Sequence, residues 1–203
     1  TALGTTDRFV SSGGAAPGDR LLLTKGAGIE ATAILATDFR DECAEAGVST
    51  PTLDSAAAFL DEVSVVHDAA AVRDAATAMH DPTEGGLLTA LVETASASGT
   101  VLAVERDRVP VRPETEACCD ALGVDPLATF GSGALLAAVS PERVGEATDA
   151  LDAAGIAVGE IGGVRAPGGG EGEDGETPEA GTVLLDGERI GEPPRDELYP
   201  FWE

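Results

Sequence analysis

Residues 80–88, His-Asp-Pro-Thr-Glu-Gly-Gly-Leu-Leu, join a short apolar run at 77–79 to the most regular amphipathic segment of the chain. Leu87, Leu88, Leu91, Val92 and Ala95 recur at the spacing of one helical face. The backbone must therefore pass from a strand, through a glycine turn, into a helix. Asp81-Pro82 predicts the helix start, because Pro tolerates the first turn and Asp accepts from exposed amides. Gly85 and Gly86 leave the amides of that turn open to an approaching group, and such a turn at a helix N-terminus seats phosphate or carboxylate. The plainer use of the same residues is internal, with Asp81 and Glu84 occupying the positive helix end themselves.

The remaining segments alternate in the same way. Apolar runs at 21–24, 77–79, 101–105, 134–139 and 156–164 predict strands. Helices are expected from 26–28 to about Ala46, over 51–63, over 68–76, from Pro82 to about Gly99, over 113–122, and from Ser140-Pro141-Glu142 to Gly155. A hairpin is expected at 183–190 around Asp186-Gly187. The pattern predicts an α/β (α+β) fold, a layered mixed sheet with helices on its faces. Residues 1–16 are expected to be a linker remnant, 17–192 the domain, and 193–203 a tail. Within the domain, the Gly-, Glu- and Pro-rich stretch 166–181 is expected to be a mobile acidic loop, having too little apolar surface to order itself.

Two further turns lie where a strand meets a helix or a second strand. Lys25-Gly26-Ala27-Gly28 contains the only lysine of the chain. An ammonium beside a helix N-terminus binds phosphate as a point charge; an ion pair with Glu30 or Asp38 is the structural alternative. Gly131-Ser132-Gly133 presents backbone amides to a ligand or provides the close approach that a buried strand needs. His80 beside Asp81 is a general base or a hydrogen-bonded residue closing a strand. Cys43 and the adjacent Cys118-Cys119 have neither disulfide-framework nor metal-ligand spacing, so buried thiols are expected and no metal site.

Charge removes whole classes of partner. With 37 acidic residues against 12 basic ones, the net charge is -25. Such a surface repels nucleic acid and anionic membranes. No apolar run reaches the length of a bilayer span and no charged segment precedes an apolar export core, so a soluble, cytoplasmic protein is expected. Abundant Asp and Glu, a single Lys and few aromatics resemble proteins of a high-salt cytoplasm, where screening relieves self-repulsion.

Asp81-Pro-Thr-Glu-Gly-Gly-Leu87 resembles the segment opening the main helix of the C-terminal domain in the AIR synthase-related superfamily. Pro17-Gly-Asp-Arg-Leu-Leu-Leu-Thr-Lys-Gly26, Val109-Pro-Val111 and Ser132-Gly-Ala-Leu-Leu136 are similar to the same domain in the same order, from about Gly13 to Val164. The HypE-like hydrogenase expression/formation branch is the nearest in wording, although HypE-like motifs often carry Arg where Glu84 stands. The resemblance implies a mixed-sheet, partly ferredoxin-like domain and an ATP-dependent enzyme that activates a substrate oxygen by phosphorylation. It implies ATP and Mg2+ bound mainly by a separate N-terminal ATP-binding domain, a homodimer when complete, and an inactive C-terminal half alone. The phosphate- or substrate-facing residues would be Lys25, Gly26, Gly28, Asp81, Thr83, Gly85, Gly86, Ser132 and Gly133, with a nucleotide or phosphorylated small molecule as ligand. A non-catalytic binding or assembly module on the same fold is the alternative.

The charge balance yields a direct test. Raising potassium chloride from low to molar concentration should raise the melting temperature, since screening shortens the reach of self-repulsion to about 3 Å at 1 M. A flat or falling profile would refute the high-salt reading.

Overall fold

The computed structural model describes residues 5–168, 177–192 and 195–203. Positions 169–176 of the expected acidic loop lie outside the described residues, as do 193–194 of the expected tail and 1–4 of the expected linker.

Seven strands form one sheet: β1 (Arg20–Thr24), β2 (Ala76–His80), β3 (Val101–Val104), β4 (Leu136–Val139), β5 (Val158–Arg165), β6 (Val183–Leu185) and β7 (Glu188–Ile190). Their order is β2-β4-β1-β5-β3-β6-β7. β3 and β6 pair in parallel, and the other neighbours are antiparallel. The predicted mixed, layered architecture is therefore present. Among the described residues no helix is long and apolar enough to cross a membrane.

The helices are α1 (Ile29–Thr37), α2 (Arg40–Glu45), α3 (Thr50–Ala57), α4 (Val66–Val72), α5 (Gly86–Ser98), α6 (Pro113–Leu122) and α7 (Val144–Ala153). Alternation along β1 decides which layer each residue joins. Leu21 and Leu23 face a core shared with Leu87, Leu91 and Ala95 of α5. Leu22 faces the opposite core, with Val72 of α4 and Ala147 and Leu151 of α7. A third core joins Ala31 and Leu35 of α1, Cys43, Leu53, Cys118, Cys119 and the tail residue Leu198. Each fully buried leucine in these layers contributes roughly 2 kcal/mol.

Several boundaries differ from the periodicity: the helix expected over 68–76 spans Val66–Val72, and Ala76 already opens β2. The helix expected to reach Ala46 breaks after Thr37, where Phe39 leaves the helical region (φ -119, ψ 31). Its ring is buried and packs 5.3 Å from Phe201 and 5.4 Å from Trp202, centroid to centroid. The helix expected over 51–63 ends at Ala57 and continues as a 3-10 turn, Ala58–Glu62. The 183–190 hairpin is present, with Asp186 (φ 53) and Gly187 (φ 90) forming its left-handed turn.

All three cysteines are buried free thiols. Burial pushes Cys118 and Cys119 up to about 12, helped by neighbouring thiol and carboxylate charge, and raises Cys43 as well. Because thiolate is the reactive form, a disulfide-exchange reagent at neutral pH should label none of them in the native protein and all of them in denaturant. Rapid native labelling of any one would contradict this packing.

Candidate functional site

The sheet order brings the three glycine turns together. β1 and β2 each pair antiparallel with β4, one on either side, so they run parallel to each other. Their C-terminal ends, Thr24 and His80, lie at one end of the sheet, and both lead toward helix N-termini. The turn at 131–133 enters β4 between them. Gly131 N–H donates to Thr83 O (2.9 Å), Glu30 N–H to Ser132 O (3.1 Å) and Ala31 N–H to Phe130 O (3.1 Å). The residues of 25–28, 81–86 and 132–133 thus form one connected edge.

Glycine is required here for close packing. A β-carbon on Gly86 (φ 61) would stand 2.3 Å from Thr129 O, and one on Gly133 (φ 108) 2.7 Å from Ile29 Cγ2. Gly26 and Gly28 are buried beside the Pro110 and Pro126 carbonyls. The expectation that Gly85 and Gly86 lie open to a ligand is not what the geometry shows.

The helix end already holds an anion. Gly85 N–H donates to Asp196 Oδ2 at 2.8 Å, and Asp196 is 2% exposed. Its other oxygen accepts from Thr129 Oγ1 (3.2 Å) and Leu198 N–H (3.0 Å). The carboxylate at this seat is therefore supplied by the chain itself. α5 begins at Gly86 with Gly85 (φ 72) as its N-cap, four residues beyond the start expected at Pro82. Asp81 does not cap it: the side chain is 64% exposed, 4.0 Å from His80 Nδ1. Tyr199 of the tail hydrogen-bonds Glu84, which raises its phenol above the usual range. His80 Nε2 lies 2.6 Å from Glu93 Oε2, the hydrogen-bonded arrangement.

Lys25 is equally committed. Its ammonium donates to Glu62 O (3.0 Å) and Ser64 O (2.9 Å), and pairs with Asp68 Oδ2 at 3.2 Å. These acceptors match its three donors, and the pair is 11% and 2% exposed. The partner is Asp68, not Glu30 or Asp38. Nearby, Arg112 grips Glu62 through both nitrogens (3.0 and 2.7 Å), a hydrogen-bonded pair that lowers the Glu62 carboxyl below its ordinary range. Its guanidinium stacks 4.5 Å over Phe59.

What stays accessible is narrower than the sequence suggested. Thr83, Asp81 and Glu84 are exposed and Ser132 half-buried. Thr83, Glu84, Thr89, Glu93, Arg195 and Asp196 line a cleft of about 360 Å³. Among the described residues no three His, Cys, Asp or Glu side chains converge to hold a metal ion. The Lys25 ammonium and the Gly85 amide are both engaged by acceptors of the chain itself. Asp68, Arg112 and Asp196 are the residues that sequence reasoning missed; none carries a local motif, and each acts through a partner distant in sequence.

Residues 16–175 match the family model for the AIR synthase related protein, C-terminal domain. The carbamoyl dehydratase HypE of Cupriavidus necator is 35% identical over 129 residues, 64% of this chain and 34% of that protein. Escherichia coli HypE superposes with a TM-score of 0.70 at 22% identity, covering 96% of this chain and 56% of that chain. A HypE structure in complex with ATP superposes with a TM-score of 0.62 at 25% identity, covering 92% and 55%. The match thus takes in about a third of the curated relative and about half of each solved chain.

The packing at Gly86 orders two substitutions. Gly86→Val should cost more than about 2 kcal/mol of stability, because its β-carbon meets a backbone carbonyl. Asp81→Ala should stay within about 0.5 kcal/mol, since its exposed carboxylate caps no amide. Urea unfolding of both variants checks this; the reverse order would return capping to Asp81.

Proposed function

Since this chain belongs to the AIR synthase-related family, as its C-terminal domain, we propose that it serves as the C-terminal half of an ATP-dependent enzyme that activates a substrate oxygen by phosphorylation. The HypE relatives named carbamoyl dehydratases support an oxygen of a carbamoyl group as the target. The observation that carries the reading is the convergence of the three turns at one end of the sheet, through Gly131 N–H on Thr83 O and Glu30 N–H on Ser132 O. In this proposal an N-terminal ATP-binding domain holds the nucleotide and Mg2+ and closes over that edge, and the complete protein is a homodimer.

The contribution of this chain is positioning. Thr83 and Ser132 offer hydroxyls to an incoming phosphorylated group, and Asp81 orients a donor beside them. Gly26, Gly28, Gly85, Gly86 and Gly133 hold the backbone that presents these side chains. Lys25 acts through the same support, since its ammonium is already matched by three acceptors.

One observation favours a second reading. The Asp196 carboxylate occupies the end of α5, as it would in a binding or assembly module with no phosphate to receive. The complete two-domain protein separates the two. Combining Thr83→Val with Ser132→Ala should lower kcat for ATP-dependent turnover about tenfold or more, the loss of roughly 1.4 kcal/mol of transition-state stabilisation, with an unchanged melting curve. Turnover equal to that of the parent would leave the assembly role. The 203-residue chain alone, mixed with Mg2+ and ATP, should release no phosphate.

A further inference from the structure

At the other end of the sheet, where β1 begins, lies a groove of about 370 Å³. Its floor is a cross-strand row on one face: Arg20 opposite Gly163, Gly163 opposite Ala103, and Ala103 opposite Leu184. Arg108 and Arg165 complete the rim with Arg20. A β-carbon on Gly163 would stand 3.3 Å from Asp19 O and 3.8 Å from Arg20 Nη1, so the Arg20 guanidinium lies beside the bare glycine.

The pairing of these arginines differs from that of most others. Arg40, Arg106, Arg112 and Arg143 sit 2.6–2.8 Å from a carboxylate. In the groove the nearest carboxylate to Arg20 is Glu160 at 3.9 Å, and to Arg108 it is Glu105 at 3.4 Å. The Arg165 side chain makes no hydrogen bond or ion pair among the described residues. Arg73, 3.6 Å from Asp74, is another loosely paired arginine and lies outside the groove. Two carboxylates that line the groove have other donors: Asp19 accepts from Ala16 N–H and the Thr77 hydroxyl, and Asp186 accepts from Arg106 N–H. In a chain of net charge -25 with 12 basic residues, three under-paired guanidiniums around one glycine-floored groove are a concentration of unspent donors.

We propose that this groove binds a phosphate-class oxyanion, carried by a small molecule, through the guanidiniums of Arg20, Arg108 and Arg165. The site is separate from the edge assigned above and does not depend on that assignment. Planar guanidiniums supply paired donors that fit tetrahedral oxyanions, and the missing side chain at Gly163 admits the ligand to the floor.

The test is a titration of the ¹⁵N-labelled chain with inorganic phosphate at constant ionic strength, read at the backbone amides. Shifts should concentrate at Gly162, Gly163 and Ala103. The double variant Arg20→Gln/Arg165→Gln should weaken the apparent affinity about tenfold or more, the loss of roughly 1.4 kcal/mol, whereas Arg73→Gln should match the parent. Both arginines are solvent-exposed, and the parent titration stands alone if the double variant unfolds. Absent or scattered shifts in the parent would overturn the proposal. So would localised shifts that persist in the double variant, or that vanish equally in Arg73→Gln.

Discussion

The buried pair of Lys25 and Asp68 is the interaction on which the edge formed by the three turns rests. Removing one member would leave the other charged and uncompensated, a loss of about 3–5 kcal/mol. The pair does more than neutralise charge. Asp68 also accepts from Thr24 Oγ1, which in turn accepts from Leu135 N–H, so the end of β1, the start of α4 and the approach to β4 share one network. Lys25 holds a left-handed backbone (φ 60), which turns the chain out of β1 toward α1. A residue that first suggested a ligand contact is therefore a brace between the end of β1, α4 and the approach to β4.

The same economy governs the acidic surface. Buried carboxylates are placed where donors would otherwise be unsatisfied: Asp19 on an amide and a hydroxyl, Asp68 on an ammonium, Asp196 on a helix end. Burial pushes the half-buried Asp125 up, yet the paired Arg106 and the Leu127 amide outweigh that and hold it below its ordinary range. Most other acidic side chains remain in solvent. The buried carboxylates are thus each hydrogen-bonded, Asp68 alone among these three by a cation.

Much of the architecture was legible because it is written in local chemistry. Pro113 at a first turn marked the start of α6, and Asp186-Gly187 marked the hairpin. The sheet strands followed from apolar runs. The site was legible only as separate turns, since their meeting depends on strand order, which no local pattern encodes. Gly85-Gly86 suggested an open anion seat, whereas the Gly85 amide is taken by a carboxylate of the chain itself. Its source, Asp196, lies in a tail with no periodicity, so nothing nearby pointed to it. Phe39 likewise broke a helix for the sake of Phe201 and Trp202, a choice made by packing over propensity.

The Asp196–Gly85 contact joins residues 111 positions apart, and this has a consequence for synthesis on the ribosome. α5 can form its apolar face as soon as it emerges, but the positive end of that helix stays uncapped until Asp196 follows it out of the exit tunnel. At roughly 5–20 residues per second, that interval lasts about 6–20 s. During it the nascent domain carries an exposed cationic pole on its central helix, and the long loop that closes the contact places this step among the slow, non-local ones. The helix end thus receives its carboxylate only after the segments of β3 to β6 have been made.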